Sequence, residues 1–259
     1  MRIVVLVKQV PDTWGERKLD PARGVVDRSA SDAVIDEVGE RALEAALAYK
    51  DDHDAHVVVI TMGPGSAVDV LRKGLAMGAD SAVHILDDAL AGADLGWTAE
   101  VLAAAVKEVG FDLVIAGNEA TDGRGGVVPA MIAEHLGVPH ATHLNSVEIT
   151  AEGVRGQRGT ESGAADVHAS LPAVISVTER APEPRFPNFR GIMKAKKKPL
   201  QVLCVHDVSV DAMAAGAEAA RSTVVSAVER PARTGGTKIV DDGHAGAELA
   251  KFLTSANLI

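Results

Sequence analysis

The chain has a single cysteine, few aromatic residues and no long apolar run. Cys204 cannot form an intrachain disulfide or a thiolate metal cluster, and its isolation favours a reducing location. Four phenylalanines, two tryptophans and one tyrosine among 259 residues mean that the core must be aliphatic. No run approaches the roughly 20 apolar residues of a membrane helix, and the opening apolar stretch is too short for a signal peptide. We therefore expect a cytoplasmic protein that is not embedded in a membrane.

Basic residues are also scarce. The chain has 26 Lys and Arg against 36 Asp and Glu, for a formal net charge of −10. Without a basic surface excess there is little to displace counterions from a phosphate backbone, so nucleic acid is not expected as a partner. The apolar fraction of 47% and the charged fraction of 24% are typical of a globular protein with a sizeable core.

The first half of the chain alternates buried strands with amphipathic helices. Aliphatic runs predict strands over 3–7, 56–61, 81–86 and 112–116, and spacings of three and four predict helices over 36–50, 66–77, 97–109 and 127–136. Asp36 is placed to cap the first helix and Ser66 the second. This alternation predicts an α/β fold with an open parallel sheet and helices on both faces, a Rossmann-like, adenine-nucleotide-binding type.

The pattern changes near residue 140. Short strands joined by glycine-containing turns are predicted over 147–150, 154–158, 164–169 and 173–178, followed by three prolines and a strand over 200–205. From residue 207 the chain is rich in alanine, glycine and polar residues, with a terminal helix over 244–253. We divide it into an α/β domain, 1–206, and a C-terminal arm, 207–259, which we expect to pack on another subunit.

A glycine-rich stretch over 117–126, here called the glycine loop, follows a predicted buried strand and precedes a helix. Ligands bind at that edge of open parallel sheets, and glycines let backbone N–H groups approach a phosphate at a helix N-terminus. Arg124 offers a charge-assisted contact. The loop lacks the Walker A and Gly-x-Gly-x-x-Gly sequences, so it indicates a phosphate or nucleotide without saying which, and a plain flexible turn is the alternative.

No catalytic or metal-binding arrangement is evident in the sequence. His140 and His143 lie three apart in a predicted loop without nearby carboxylate or cysteine ligands, and Cys204 lies within a strand pattern. No Gly-x-Ser-x-Gly elbow is present. A nucleotide crevice without an acid–base pair or a nucleophile suggests a carrier or binding subunit rather than an enzyme.

Residues 185–198, here called the basic segment, carry six of the 26 basic residues on this acidic chain. Phe186, Phe189, Ile192 and Met193 stand among those charges. Apolar side chains framed by lysines are typical of a surface that is presented to another protein. A solvated basic turn that leads into the next strand is the alternative.

Four motifs together resemble the beta subunit of electron transfer flavoproteins over essentially the whole chain. They are VLVKQVPD at 5–12, GLAMGAD at 74–80, LPAV at 171–174 and IMKAKKK at 192–198, the last being the most specific. The resemblance implies a heterodimer with an alpha subunit that holds one FAD, and a structural AMP in the beta subunit. It also implies electron transport in fatty acid oxidation, from acyl-CoA and related dehydrogenases to a membrane quinone oxidoreductase, without substrate turnover by this chain itself.

The resemblance also assigns residues to the two cofactors. The residues expected near the flavin ring are Thr13 and Val38. The AMP pocket would be built from Val7, Asp36, Glu37, Val38, Gly39, Met62, Asn118, Asp122, Arg124, Gly125, Gly126, Val127 and Val128. Polar side chains are usual in the family where Gly126, Val127 and Val128 stand, and Asp36 replaces a common Asn, so the phosphate would rely on backbone amides.

In the same way, the basic segment corresponds to the family's recognition loop. Its partner-docking residues would be Phe189, Ile192, Met193, Lys194 and Lys197. Phe189 stands where the family has an exposed leucine, and Lys194 and Lys197 match lysines that are methylated in some members. The alternatives on the same fold are a nucleotide-binding stress-type protein and a nucleotide-hydrolysing enzyme; the second would need a Ser-Gly-Gly-x-Asp-Ser type loop after the first strand, which is missing.

Overall fold

A computed structural model describes residues 1–210, 220–232 and 235–259. Part of the predicted arm, residues 211–219 and 233–234, therefore lies outside the described residues. The strands are β1 Arg2–Leu6, β2 Gln9–Pro11, β3 Lys18–Asp20, β4 Val25–Asp27, β5 Ala33–Ile35, β6 His56–Met62, β7 Ser81–Ile85, β8 Leu113–Gly117, β9 His140–Ile149, β10 Gly153–Thr160, β11 Gly163–Ser170, β12 Ala173–Val177 and β13 Leu200–Leu203. The helices are α1 Glu37–Asp52, α2 Val68–Met77, α3 Leu95–Val109, α4 Val128–Leu136, α5 Phe189–Ala195 and α6 Ala245–Ser255.

Nine strands form one large sheet in the order β11-β10-β9-β12-β8-β1-β6-β7-β13. In this order, each strand from β9 to β13 is parallel to the next, along β12, β8, β1, β6 and β7. Strands β10 and β11 extend the sheet beyond β9 by antiparallel pairing. Two small ladders, β2 with β5 and β3 with β4, stand apart from it. The predicted α/β class and the mostly parallel sheet are confirmed.

The sheet separates two aliphatic cores. Alternate residues of β1 point to opposite faces: Ile3 and Val5 join one core, and Val4 joins the other. Helices α1 and α2 bury Leu43 and Leu71 in the first core. Helices α3 and α4 cover the second core, so the predicted helices on both faces are confirmed.

Several local predictions were wrong. Ser66 does not cap α2, because a short 3-10 turn, Gly65–Ala67, precedes the helix and the Ser66 hydroxyl donates to Gln9 Oε1 instead. His140 and His143 lie in β9 rather than in a loop, and Cys204 follows β13 rather than lying within it. The expected short strands after residue 140 are in fact eight to ten residues long in β9, β10 and β11.

The basic segment is not a plain turn. After an irregular stretch with the three prolines it forms α5, which Asn188 caps by accepting from Gly191 N–H at 2.8 Å. The division of the chain at residue 206 remains a prediction; Val208, just beyond it, is buried in the second core.

Candidate functional site: a crevice at the carboxyl edge of the sheet and an exposed helix

The carboxyl ends of β1, β6 and β8 lie side by side, and α1 begins directly above them. Val7 N–H donates to Ile60 at 2.9 Å, which keeps Val7 beside the end of β6. A Cβ on Gly117 would lie 3.2 Å from Val38, so the start of α1 packs closely on the end of β8. Gly39 packs on Val7 in the same way, at 3.6 Å from its Cα. The structure thus brings Val7, Val38 and Gly39 together, as predicted.

Asp36 joins the start of α1 to the glycine loop. Its side chain is buried, and Oδ1 accepts from Val38 N–H at 3.0 Å, which confirms the helix cap. Oδ2 accepts from the N–H and the hydroxyl of Thr121 at 2.7 and 2.8 Å. Both carboxylate oxygens are therefore used in fixing the loop, while Glu37 beside it is exposed.

Asp122 is a second fixed point of the glycine loop. Its carboxylate is almost fully buried and accepts from Lys8 Nζ at 2.9 Å and Arg28 Nη2 at 2.7 Å. Burial raises the pKa of this carboxyl, but the two cations outweigh that effect and hold its pKa below the usual value. Lys8 and Arg28 were not predicted from the sequence, because they lie 114 and 94 residues from Asp122 and no local pattern links them.

Beyond Asp122 the loop turns sharply into α4. Arg124 and Gly126 both have left-handed backbones, with φ of 48° and 67°. Arg124 pairs with Glu119 at 3.3 Å, an acidic neighbour that sequence reasoning also missed. Helix α4 begins without a side-chain cap, and within the described residues the N–H groups of Gly125, Gly126, Val127 and Val128 have no acceptor. Four free amides at a helix N-terminus suit an anion.

Two buried polar atoms near the same edge also have no partner in the part of the chain that the structure describes. Asn118 follows β8 and is 8% exposed, and its Oδ1 has no donor among the described residues. Thr61, near the end of β6, is 1% exposed, and its hydroxyl is likewise unpaired within that part of the chain. Buried polar atoms of this kind usually have a partner, so a bound ligand would account for them. Met62, beside Thr61, is half-buried.

The two residues predicted near the flavin differ in their surroundings. Val38 is buried beneath the crevice, whereas Thr13 is exposed in the loop that follows β2. Trp14, next to Thr13, is 96% exposed. The loop that carries Thr13 therefore presents one large apolar side chain, Trp14, to solvent.

The basic segment presents an exposed apolar patch. Phe189 is 80% exposed, and Ile192 and Met193, on the next turn of α5, are about half exposed. Lys194 and Lys197 are exposed beside them. All five predicted docking residues therefore lie on one short helix and the turn after it, open to solvent.

The described part of the C-terminal arm contains α6, none of whose residues is buried. Leu249 and Phe252, at helical spacing of three, are each about half exposed. The arm contacts the domain at Arg221 and Ser222, whose N–H groups donate to Asp94 Oδ2 at 2.7 and 3.0 Å.

No described helix is both long enough and apolar enough to cross a membrane. Nor do the described residues bring together three or more His, Cys, Asp or Glu side chains that could hold a metal ion.

The open parallel sheet, with its glycine loop at the carboxyl edge, defines an α/β domain of the class that places ligands at that edge. A family model described as the electron transfer flavoprotein domain matches residues 23–208. The electron transfer flavoprotein subunit beta of Mycobacterium tuberculosis is 48% identical over 263 residues, covering 99% of each chain. That of Megasphaera elsdenii is 38% identical over 254 residues, covering 94% of each.

A third relative, the caffeyl-CoA reductase-Etf complex subunit CarD of Acetobacterium woodii, is 36% identical over 257 residues, covering 98% of this chain and 97% of the relative. The chain belongs to the electron transfer flavoprotein beta-subunit family. The predicted resemblance is thereby confirmed over the full length, and with it a role in electron transport.

Proposed function

We propose that this chain is the beta subunit of a heterodimeric electron carrier. It would pair with an alpha subunit, accept electrons from acyl-CoA and related dehydrogenases, and pass them to a membrane quinone oxidoreductase without turning over a substrate of its own. The observation that carries the proposal is the exposed helix α5 with its apolar and basic side chains, on a chain that matches beta subunits from end to end. The single cysteine fits a cytoplasmic location.

FAD, shared with the alpha subunit, would supply the redox chemistry. The exposed loop around Thr13 and the start of α1 at Val38 are the parts of this chain that we assign to it. Their contribution is to cover the flavin and exclude water at the subunit boundary. The exposure of Trp14 beside Thr13 supports a second protein surface there.

AMP would bind in the crevice at the carboxyl edge. The free amides of Gly125, Gly126, Val127 and Val128 fit a phosphate, and the unpaired Asn118 Oδ1 fits a donor group of the nucleotide. In our proposal, Asp36 and Asp122 act by shaping the glycine loop, since their carboxylates are already used by Thr121, Lys8 and Arg28. Val7, Gly39 and Met62 would form the apolar wall, with Glu37 and Arg124 at the rim.

The C-terminal arm would be the contact with the alpha subunit. The described part of this chain buries none of the residues of α6, and a second subunit would cover its half-exposed apolar side chains. The electron donors would instead dock on α5, with Phe189 as the anchor, Ile192 and Met193 around it, and Lys194 and Lys197 as steering charges.

The replacement of Phe189 by alanine tests the docking proposal. Burying one phenylalanine contributes about 1.5–3 kcal/mol, so Phe189→Ala should lower kcat/KM for electron transfer from a dehydrogenase by about 10- to 100-fold. The flavin absorption spectrum of the heterodimer should not change. The measurement is dehydrogenase-dependent reduction of the flavin, followed by absorbance.

Phe186→Ala is the matched control, because Phe186 is 94% exposed in the same segment but lies before α5. We expect a smaller effect from it. Equal effects of both replacements, or loss of flavin in Phe189→Ala, would contradict the assignment of Phe189 as the anchor.

A further inference from the structure

The basic segment is fixed to its own domain at both ends and in the middle, while its docking side chains are exposed. From these contacts we infer that Arg185 is a positioning residue, which holds α5 in the orientation that a partner dehydrogenase recognises. The inference rests on the proposed docking function. The six basic residues of the segment would then be of two kinds: some attract the partner by their charge, and others bind the segment to its own domain.

Arg185 holds the start of the segment to α1. Its guanidinium donates to Glu44 Oε1 and Oε2, both at 2.8 Å, and to Asp51 Oδ2 at 2.8 Å. Its backbone N–H also donates to Glu44 Oε2, at 3.0 Å. The fork geometry of an arginine on two carboxylates fixes direction as well as distance. The same contacts raise the pKa of Arg185 and lower that of Asp51, so both of these groups stay charged at neutral pH.

The middle of the segment lies directly against α2. A Cβ on Gly191 would lie only 2.3 Å from the Ala76 carbonyl oxygen, so only glycine permits this approach. Arg72 on α2 donates to the Ala195 carbonyl at 3.0 Å, near the end of α5. Helix α5 therefore cannot rotate about its axis without losing these contacts.

Lys198 holds the far end. Its ammonium group donates to the carbonyls of Leu75 and Ala79, at the C-terminal end of α2, where cations are favoured. Burial lowers the pKa of this lysine. Lys198 is therefore used inside the protein, and the charges left for a partner are those of the exposed residues Arg190, Lys194, Lys196 and Lys197.

These contacts fix α5 before any partner arrives. A seven-residue helix has too few turns to be stable by itself, so its order must come from the contacts with α1 and α2. Because the anchor residues are already ordered, docking does not have to bear that entropic cost, and the affinity for the partner rises accordingly. Loss of the Arg185 contacts should thus weaken docking while the exposed charges of Arg190, Lys194, Lys196 and Lys197 stay in place.

The experiment compares Arg185→Gln with Lys196→Gln in the assembled, flavin-containing protein. Each replacement removes one positive charge from the same segment, but only the first removes ion pairs with α1, since Lys196 forms no ion pair with any described residue. The readouts are KM and kcat for dehydrogenase-driven flavin reduction at several salt concentrations, together with amide hydrogen exchange of α5.

For Arg185→Gln we expect KM to rise about 3- to 10-fold at every salt concentration, with kcat unchanged. Exchange of the α5 amides should become faster, while that of α1 stays the same. For Lys196→Gln we expect a smaller rise in KM that disappears at high salt, and unchanged exchange. Asp51→Asn leaves the Glu44 contacts in place, so its rise in KM should be smaller than that of Arg185→Gln. It keeps the inference testable if Arg185→Gln fails to fold.

The inference is overturned if Arg185→Gln behaves as Lys196→Gln does, or if α5 exchange is unchanged in it. Phe189→Ala, measured in parallel, separates the two proposals. If Phe189→Ala raises KM and Arg185→Gln does not, the positioning role fails and docking stands. If Phe189→Ala has no effect, the proposal that dehydrogenases dock on α5 is itself contradicted.

Discussion

The basic segment and the C-terminal arm both expose apolar side chains, but they relate to their own domain in different ways. The basic segment is held along its length, by Arg185, Gly191 and Lys198. The described arm meets the domain near its start, at Arg221 and Ser222, and its helix α6 has no buried residue. A surface that is rigid without a partner suits brief encounters with several proteins. A helix that stays exposed until a partner subunit covers it suits a permanent contact with that subunit.

The largest expected effect follows from placing charge on the apolar side of α6. Leu249→Asp with Phe252→Asp should reduce co-purification of the alpha subunit at least about a hundredfold, since each side chain contributes about 1.5–3 kcal/mol when buried. The thermal unfolding of the separate beta chain should not change, because neither side chain is buried in it. Pull-down from co-expressed subunits and circular dichroism measure the two quantities.

Lys251→Asp with Thr254→Asp is the control for this experiment. It introduces two aspartates on the opposite side of the same helix. Normal assembly is expected from it. If both pairs of replacements abolish assembly, the effect comes from helix α6 itself being disturbed, and the contrast between the two regions loses its support.

A smaller effect is expected from reversing the exposed charges of the basic segment. Lys194→Glu with Lys197→Glu should slow electron transfer from a dehydrogenase about tenfold at low ionic strength, and the loss should shrink as salt shortens the screening length from about 30 Å at 0.01 M to 3 Å at 1 M. The measurement is kcat/KM across that range of salt.

Lys107→Glu with Arg155→Glu changes the net charge equally, at exposed basic residues outside both the basic segment and the C-terminal arm. This control should have little effect at any salt concentration. A loss in the Lys194 and Lys197 variant that does not depend on salt would count against steering.

The parallel sheet was predictable because β1, β6 and β8 are continuous aliphatic runs. A strand buried on both faces needs such a run, and residues Val57 to Ile60 of β6 supply it. The lengths of strands β10 and β11 were underestimated for the opposite reason. They are largely exposed, so their sequences carry little of the alternation that marks a strand.

The sequence indicated the glycine loop and the docking residues, but not what holds them. Asp122 meets Lys8 and Arg28 only because distant segments converge at one edge of the sheet. Helix α5 was missed since its order depends on contacts with α1 and α2, and its own residues, with Gly191 near the centre, favour helix only weakly. Long-range contacts of this kind leave no local pattern.

The most direct test of the central proposal is native mass spectrometry of the purified complex, together with its absorption spectrum. We predict one copy of this chain with one partner chain, one FAD that gives a yellow flavin spectrum, and one AMP. A stable monomer that binds no flavin with any partner and accepts no electrons from a dehydrogenase would contradict the proposal.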